Sequence, residues 1–208
     1  MYKKQINNYK FIKRVFDLIF AILLLIIFSP LILVVFLLLI ITFKNNVLFF
    51  QERPGYKNKI FKIIKFKSMH TLFDENGKIL DDLERTPIIG KLIRSLSIDE
   101  LPQLINIIKG DMSFIGPRPL RKEYLKKYTK EQLQRHNVRP GITGLAQISG
   151  RNKLKWEEKF NLDIKYVNNY SFLMDISIFI KTIFVITSRK DVKYVYKNGK
   201  QEFFSEID

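Results

Sequence analysis

An uncharged apolar segment near the N-terminus constrains this chain more than any other feature. Residues 18–41 form 24 consecutive positions without one charged side chain. A helix needs about 20 apolar residues to cross the hydrocarbon core of a bilayer, so this segment is long enough. It is too long for the apolar core of a cleavable signal peptide, and no small-residue cleavage site follows it. The segment is therefore predicted to hold the chain in a membrane.

Ser29 and Pro30 stand at the centre of this segment, with 11 residues on either side. Proline removes one helical hydrogen bond and clashes with the preceding turn, so we expect the helix to break there. Each arm would then be about 16 Å long, roughly half the hydrocarbon thickness. Two interpretations follow: a single transmembrane span, or a re-entrant helical hairpin that enters and leaves the membrane on one side.

The charges on both flanks favour the hairpin. Five basic residues precede the apolar segment and four follow it closely: Lys3, Lys4, Lys10, Lys13 and Arg14, then Lys44, Arg53, Lys57 and Lys59. Lys and Arg are enriched on the cytoplasmic side of membrane segments, and a single span can satisfy that preference at only one end. The hairpin predicts that both chain termini lie on the same side of the membrane.

Two further features concern the membrane surface. Asp17 lies at the edge of the apolar segment, where an unpaired acid is costly, so we expect an ion pair with Lys13 or Arg14. Phe172 to Thr187 is also apolar, but it contains two charged residues, and 16 residues are short for a span. We expect a helix that lies partly in the headgroup plane, with burial in the core as the alternative.

The charge balance restricts the partners. Lys and Arg number 36 against 20 Asp and Glu, for a formal net charge of +16. Such a surplus favours an anionic partner, and the apolar segment favours lipid and phosphate over nucleic acid. The absence of cysteine excludes disulfides and thiolate catalysis, and two histidines are too few for a histidine-rich metal site.

The remainder of the chain predicts one compact catalytic unit. Val47 to Glu52 and Ile60 to Lys67 are predicted as two strands of a β-hairpin around a Pro-Gly turn. The fold class is α+β and mostly helical, in a monotopic membrane protein. We assign residues 1–43 to the membrane-associated helix and residues 44–208 to a small cytoplasmic catalytic domain.

The acid pair Asp99 and Glu100 is the first candidate for chemistry. Ser97 and Glu100 match a helix capping box, and Gly110 is a plausible left-handed end for a helix from Leu101 to Lys109. Alternatively, Asp99 is the N-cap, which puts Pro102 in the first turn, where proline is tolerated. In either case Asp99 would lie at a helix N-terminus, where the dipole lowers a carboxylate pKa and attracts phosphate. Taken alone, the pair favours a structural role in capping over a catalytic one.

The turn Pro117-Arg118-Pro119 is the second candidate. Two prolines fix the backbone around one guanidinium, which suits a preorganised contact to phosphate or nucleotide. Arg94, five residues before Asp99, could reach the same site. Taken alone, the turn could equally be a rigid surface loop with a solvated arginine.

Several motifs follow one another in order along nearly the whole chain. They are Lys13-Arg14-x-x-Asp17, Ser29-Pro30, Gln51-x-Arg53-Pro54-Gly55, Lys65-Phe66-Lys67-Ser68-Met69, Arg94-Ser95-x-Ser97-x-Asp99-Glu100-Leu101-Pro102-Gln103, Gly110-Asp111-Met112-Ser113-Phe114-x-Gly116-Pro117-Arg118-Pro119 and Val138-Arg139-Pro140-Gly141-Ile142-Thr143-Gly144-x-Ala146-Gln147. This set resembles the bacterial sugar transferases known as monotopic phosphoglycosyl transferases, in their smallest form. Lys67 and Leu145 depart from the family pattern, where Arg and Trp are frequent.

The resemblance implies an activity and a set of site residues. Family members transfer a sugar 1-phosphate from a UDP-sugar to undecaprenyl phosphate, the first membrane step of glycoconjugate biosynthesis, and release UMP. By position, Asp99 would be the nucleophile that forms an aspartyl-phosphosugar, and Glu100 would be catalytic and a ligand of Mg²⁺. The resemblance also implies contacts to substrate phosphate or nucleotide from Lys65, Arg94, Arg118, Arg139 and Gln147.

The same resemblance implies the setting of the reaction. The protein would lie at the cytoplasmic face of the bacterial inner membrane, on anionic lipid, with no nucleic-acid partner and with a homodimer as a further expected partner. Among donors we favour an N-acetylhexosamine derivative. Two alternatives stay open on the sequence: a membrane glycosyltransferase that releases UDP, and a basic membrane scaffold without enzymatic activity.

Overall fold

The computed structural model describes residues 2–77, 79–150 and 154–187, with side chains between residues 9 and 185 of these ranges. Parts of both predicted domains therefore lie outside the described residues: position 1 of the first, and positions 78, 151–153 and 188–208 of the second. The division into two domains stays a prediction. The elements in chain order are α1 (Tyr2–Phe43), β1 (Leu48–Pro54), β2 (Ile60–Phe66), α2 (Ile88–Ser95), α3 (Gln103–Lys109), β3 (Ser113–Ile115), β4 (Gly141–Thr143), α4 (Leu145–Ser149), α5 (Trp156–Asn169) and α6 (Phe172–Thr187).

The apolar segment is one continuous helix, so the predicted interruption at Ser29 and Pro30 is wrong. Helix α1 runs through both residues. The Ser29 hydroxyl donates a hydrogen bond of 2.8 Å to the Ile26 carbonyl, and proline removes only one backbone donor. Proline is tolerated in this way within apolar membrane helices. Tyr9–Phe43 is long and apolar enough to cross a membrane.

Both ends of the apolar stretch nevertheless contact residues of the predicted catalytic domain. Asp17 accepts a hydrogen bond of 3.1 Å from the Phe114 backbone N–H, and Phe43 packs in a cluster with Phe66 and Ile93. A straight span would place Asp17 and Phe43 about 39 Å apart, on opposite sides of a bilayer. These contacts favour the hairpin topology, which stays a prediction.

The burial pattern of α1 agrees with those contacts. Ala21, Val35 and Leu39 are buried against the catalytic body, whereas Ser29 and Pro30 are exposed on the outside. A helix bends away from its proline, because the missing hydrogen bond lies on that side. A bend here would therefore fold both halves of α1 toward the catalytic domain.

The basic and acidic residues before the apolar segment tie α1 to the catalytic domain. Lys13 pairs at 2.6 Å with Asp175 of α6, and Arg14 donates to the carbonyls of Ile107 and Ile108. The predicted ion pair of Asp17 with Lys13 or Arg14 is therefore wrong. The reason is tertiary, since both cations find acceptors on other elements and Asp17 accepts a backbone N–H instead.

The predicted β-hairpin is confirmed. Strands β1 and β2 pair antiparallel, with Leu48 opposite Phe66 and Pro54 opposite Ile60. A second, two-stranded sheet joins β3 and β4 in parallel. Six α-helices and four 3₁₀ turns against four strands make the described residues mostly helical with small sheets, in agreement with the predicted mostly helical α+β class.

Asn106 fixes the register between α3 and the hairpin. Its side-chain amide donates to the Lys62 carbonyl at 2.8 Å, and its carbonyl oxygen accepts from the Ile64 backbone N–H at 2.9 Å. A buried amide that uses both its groups on one strand holds helix and strand at a defined offset. Lys65 of β2 is thereby placed opposite the turn that precedes α3.

Helix α6 is apolar on its outer side and packs on α1. Ile178 and Asp175 are buried, while Leu173 and Phe184 are exposed. The rings of Phe172 and Phe16 lie 6.2 Å apart, so the exposed apolar side of α6 is continuous with that of α1. Contact of α6 with lipid stays a prediction, and this one-sided exposure supports it.

Candidate active site

The acid pair lies on a single 3₁₀ turn, Ile98–Glu100, immediately before α3. The capping box predicted for Ser97 and Glu100 is wrong. Ser97 has φ 57° and ψ 20°, a left-handed conformation, and its side chain makes no capping hydrogen bond. Non-glycine residues in this region carry backbone strain, which concentrates at functional sites. The turn directs the Glu100 side chain toward two cations instead of back to the helix.

Glu100 is held by a lysine and an arginine from different elements. Its Oε1 accepts Lys65 Nζ at 2.7 Å and Arg118 Nη2 at 2.6 Å, and its side chain is 16 % exposed. Burial disfavours the charged form, but the charges of Arg118 and Lys65 outweigh it and lower the pKa of Glu100 to about 2. Glu100 is thus a permanent anion that gathers two cations beside Asp99.

Asp99 has the opposite electrostatics. Burial raises its pKa to about 6, and the neighbouring Glu100 adds to that rise. Lys65, Arg94 and Arg118 partly oppose it, since each lowers the pKa of Asp99. The expected lowering by a helix dipole is therefore wrong in direction, because desolvation outweighs it. At neutral pH Asp99 is still mostly ionised, as a nucleophile must be.

The strand pair β3 and β4 positions Arg118. A Cβ on Gly116 would lie 2.4 Å from the Arg139 carbonyl, and one on Gly141 would lie 2.1 Å from the Gly116 nitrogen. Only glycine permits this approach at both positions. The Pro-Arg-Pro turn follows, and the buried Arg135 donates at 2.7 Å to the Arg118 carbonyl. The guanidinium is thereby held over Glu100 with its own side chain 47 % exposed.

Arg53 is a candidate functional residue that the sequence analysis did not assign to the site. Its guanidinium donates to Gln51 at 2.5 Å, while its buried Nε has no partner among the described residues. Burial and the charges of Arg118 and Arg121 lower the pKa of Arg53 to about 10. Guanidiniums this close together favour an anion between them. Its place in the Gln-x-Arg-Pro-Gly motif was the signal available in the sequence.

Two predicted substrate contacts lie elsewhere. Arg139 donates at 2.8 Å to the Gly110 carbonyl, at the end of α3 opposite the acid pair. The amide of Gln147 is buried in α4 without a hydrogen bond among the described residues. No described hydrogen bond or ion pair joins either residue to Asp99 or Glu100. The structure therefore brings together Lys65, Asp99, Glu100 and Arg118, with Arg94 in electrostatic reach of Asp99.

The acid pair offers a metal ion only two carboxylate groups as protein ligands. The described residues contain no group of three or more acidic, histidine or cysteine side chains in one place. Two carboxylates suit Mg²⁺, which keeps several waters and often takes its other ligands from substrate phosphates. Both contacts to Glu100 use Oε1. The chemistry of the donors thus fits Mg²⁺ better than a metal that needs a closed protein cage.

A family model and individual related proteins both match most of this chain. The family model described as bacterial sugar transferase matches residues 8–189. The sugar transferase EpsL of Bacillus subtilis is 49 % identical over 172 residues, which are 83 % of this chain and 85 % of that protein. Membrane association is indicated by the long apolar helix α1.

Two longer relatives have names that state an acceptor. The UDP-N-acetylgalactosamine-undecaprenyl-phosphate N-acetylgalactosaminephosphotransferase of Aeromonas hydrophila is 39 % identical over 84 % of this chain and 43 % of its own length. The undecaprenyl-phosphate galactose phosphotransferase of Salmonella typhimurium is 34 % identical over 86 % of this chain and 41 % of its own length. This chain thus spans less than half of each of these two relatives.

Proposed function

The chain belongs to the bacterial sugar transferase family and is a phosphoglycosyl transferase, and on that premise we propose a specific reaction for it. A sugar 1-phosphate is transferred from a UDP-sugar to undecaprenyl phosphate, which yields undecaprenyl-diphosphate-sugar and UMP. The observation that carries this proposal is the convergence of Lys65 and Arg118 on Glu100, at 2.7 and 2.6 Å, directly beside the half-buried Asp99.

In the first step Asp99 acts as the nucleophile. An oxygen of its carboxylate attacks the phosphorus that bears the sugar, and the bond from that phosphorus to the bridging oxygen breaks. UMP leaves with the bridging oxygen and its electron pair, and an aspartyl-phosphosugar remains. With a pKa of about 6, the carboxylate is about tenfold more ionised than protonated at pH 7. It is also less solvated than a fully exposed acid, because it is half-buried.

The cations around the pair stabilise the charge that this step develops. Lys65 and Arg118 already converge on one oxygen of Glu100, at 2.7 and 2.6 Å. A phosphoryl group that approaches Asp99 meets these two donors preorganised, and preorganised donors are worth most where water is excluded. Glu100 keeps them in place before the substrate arrives.

In the second step an oxygen of undecaprenyl phosphate attacks the phosphorus of the intermediate. The bond from phosphorus to the Asp99 oxygen breaks, which returns the carboxylate to its starting state. Splitting the transfer lets one site use a soluble donor and then a membrane-bound acceptor. Anchoring by α1 places Asp99 near the headgroup plane, where that acceptor resides. The catalytic domain would lie on the cytoplasmic face, where the basic surplus favours anionic lipid.

Glu100 is the residue that would hold Mg²⁺, and the ion would offset negative charge on the phosphoryl oxygens when bound. The donor is proposed to be a UDP-N-acetylhexosamine derivative. One relative named above uses N-acetylgalactosamine and another galactose by their names, so a panel of donors is required.

Nucleotide release by the detergent-purified protein tests the function. The protein is mixed with Mg²⁺, undecaprenyl phosphate and a panel of UDP-sugars, and the released nucleotide is identified. We expect UMP from one donor with wild-type protein and none above background with Asp99→Asn. The matched control is Asp81→Asn, an exposed acid in the segment before α2, which should retain full activity. Release of UDP, or full activity of Asp99→Asn, would overturn the proposal.

A further inference from the structure

Three basic side chains surround the ring of Tyr56, in the turn that joins β1 to β2. Lys10 Nζ lies 4.5 Å from the ring centroid, Lys57 Nζ lies 5.5 Å from it, and Arg139 Cζ lies 5.9 Å from it. The three cations come from distant parts of the chain: helix α1, the hairpin turn and the segment before β4. Together with the tyrosine they form the Tyr56 cluster.

No described acid compensates the charge of the Tyr56 cluster. Among the described residues, none of the ion pairs includes Lys10, Lys57 or Arg139. Like charges this close together repel one another, and a bound anion relieves that repulsion. The cluster therefore has the electrostatics of an anion site.

The cluster also offers hydrogen-bond donors to a ligand. Lys10 Nζ donates to the Tyr56 hydroxyl oxygen at 2.8 Å, and the Tyr56 O–H makes no hydrogen bond to another described residue. Arg139 uses Nε on the Gly110 carbonyl, and its terminal nitrogens have no hydrogen-bond partner among the described residues. Ammonium, guanidinium and hydroxyl donors in one place suit the oxygens of a phosphate group.

The hairpin turn holds Lys57 in a strained conformation. Its φ is 54° and its ψ is 37°, and the following Asn58 has φ 62°. Asparagine tolerates this left-handed region, but lysine adopts it rarely, and glycine would be the usual residue. Strain of this kind concentrates at functional sites, which agrees with a role for the lysine charge at this position.

The cluster lies at the edge of the surface that faces the membrane. Lys10 belongs to the first turn of Tyr9–Phe43, the part of α1 that is long and apolar enough to cross a membrane. The next residue, Phe11, is 73 % exposed, and the exposed apolar surface continues through Phe16 and Ile19. In a single span and in the predicted hairpin alike, this first turn is where the chain enters the membrane. Membrane attachment therefore brings lipid headgroups to Lys10 itself.

We propose that the Tyr56 cluster binds the phosphate of an anionic phospholipid, whose acyl chains lie on the apolar surface that begins at Phe11. The charge balance of the chain indicated an anionic lipid partner, and the cluster gives that partner a defined site. A phosphatidylcholine headgroup fits less well, because its choline cation would meet three further cations. Helix α3 separates this site from the acid pair, so the proposal goes beyond the proposed function and does not depend on the transfer chemistry.

Lipid binding by the detergent-purified full chain tests this site. Dioleoylphosphatidylglycerol is titrated into the protein, and the bound lipid is counted by native mass spectrometry to obtain its Kd. Dioleoylphosphatidylcholine is titrated in parallel. The variants Lys10→Gln and Lys57→Gln each remove one charge, whereas Lys57→Arg keeps it. Lys130→Gln is the matched control, because it removes one charge from another exposed lysine.

We expect phosphatidylglycerol to bind about tenfold more tightly than phosphatidylcholine. The Kd of phosphatidylglycerol should rise about fivefold in Lys10→Gln and in Lys57→Gln, and it should stay within about twofold of wild type in Lys57→Arg and Lys130→Gln. Equal affinity for the two lipids, or an unchanged Kd in both Gln variants of the cluster, would overturn the proposal. A rise of the same size in Lys130→Gln, or for phosphatidylcholine, would also overturn it.

Two soluble anions distinguish the lipid from other sources of phosphate. Inorganic phosphate and UMP are each added at the concentration of the lipid, and we expect neither to displace phosphatidylglycerol. Displacement by inorganic phosphate would reveal a site for any small anion, and displacement by UMP would assign the cluster to the nucleotide. Either result would overturn the lipid assignment. Wild-type protein that released no UMP would contradict the proposed function alone and would leave this site standing.

Discussion

At the start of α3, Lys65 and Arg118 converge on a carboxylate, whereas at its end Arg14 and Arg139 converge on backbone carbonyls. Both ends use strongly basic residues from distant parts of the chain. At the start, the cations compensate Glu100 and can be shared with a phosphate. At the end, the guanidiniums donate to the carbonyls of Ile107, Ile108 and Gly110, which lie where the helix terminates.

The comparison teaches that a basic residue in a family motif does not identify its own role. A guanidinium that caps a helix has its donors directed at fixed neutral acceptors. A guanidinium that faces a carboxylate in a partly open site can be shared with an incoming anion. Arg118 and Arg139 occupy similar positions in their motifs, each beside proline, and the tertiary contacts alone distinguish them.

The largest effect should come from removing the carboxylate at the start of α3. Glu100→Gln leaves Lys65 and Arg118 without their shared anion and removes one candidate metal ligand. We expect UMP release to fall by at least about 100-fold. Asp111→Asn removes an acid at the other end of α3 and should change the rate by less than about threefold. Equal losses of activity in the two variants would show that the two ends of α3 do not differ in function.

A smaller effect should distinguish the roles of Arg118 and Arg139. Arg118→Lys loses a planar donor beside Glu100 and should lower kcat/KM about 10- to 100-fold with little change in Tm. Arg139→Lys weakens a bond to the Gly110 carbonyl, which is worth about 1 kcal/mol. It should therefore lower Tm by about 2–4 °C with kcat/KM within about threefold. The reverse pattern would support the predicted contact of Arg139 with substrate.

The pH dependence of UMP release should further distinguish the cations at the two ends of α3. Because the Asp99 pKa is raised to about 6, the rate of UMP release should fall about tenfold per pH unit below that value. Lys65 lowers the pKa of Asp99, so Lys65→Gln should move the midpoint to higher pH. Arg139→Lys should leave the midpoint where it is. The midpoint is measured from the rate of UMP release between pH 5 and about 8. An unshifted midpoint in Lys65→Gln would show that Lys65 does not influence the ionisation of Asp99.

The smallest effect concerns stability. The pKa of Asp99 rises from its ordinary value near 3.8 to about 6 on folding, so the folded protein binds a proton more tightly than the unfolded chain. The stability linked to that proton is present below about pH 4 and is lost as the pH rises through about 6. Asp99→Asn removes this loss and should raise Tm by a few degrees at pH 7.5, with little change at pH 4. A lower Tm at pH 7.5 would show that Asp99 stabilises the fold.

The prediction from sequence succeeded where local pattern carries the information. The β-hairpin, the left-handed end of α3 at Gly110 and the apolar helix follow from periodicity, turn residues and length. It failed at Pro30, which an apolar helix tolerates, and at Ser97, whose positive φ no local rule anticipates. The family resemblance named Lys65 and Arg118 as substrate contacts, but it did not predict that both bind Glu100, because neither residue is near Glu100 in the sequence.

The sequence by itself determined the membrane attachment, the basic character, the hairpin and the identity of the acid pair, since apolar length, charge and motif order are local properties of a chain. The tertiary structure decided which cations meet the acid pair, that Arg139 caps the end of α3, and that Arg53 lies in a cationic environment. These outcomes depend on contacts between residues far apart in the chain. Burial sets their electrostatics, which explains why Asp99 and Glu100, adjacent in the sequence, have pKa values shifted in opposite directions.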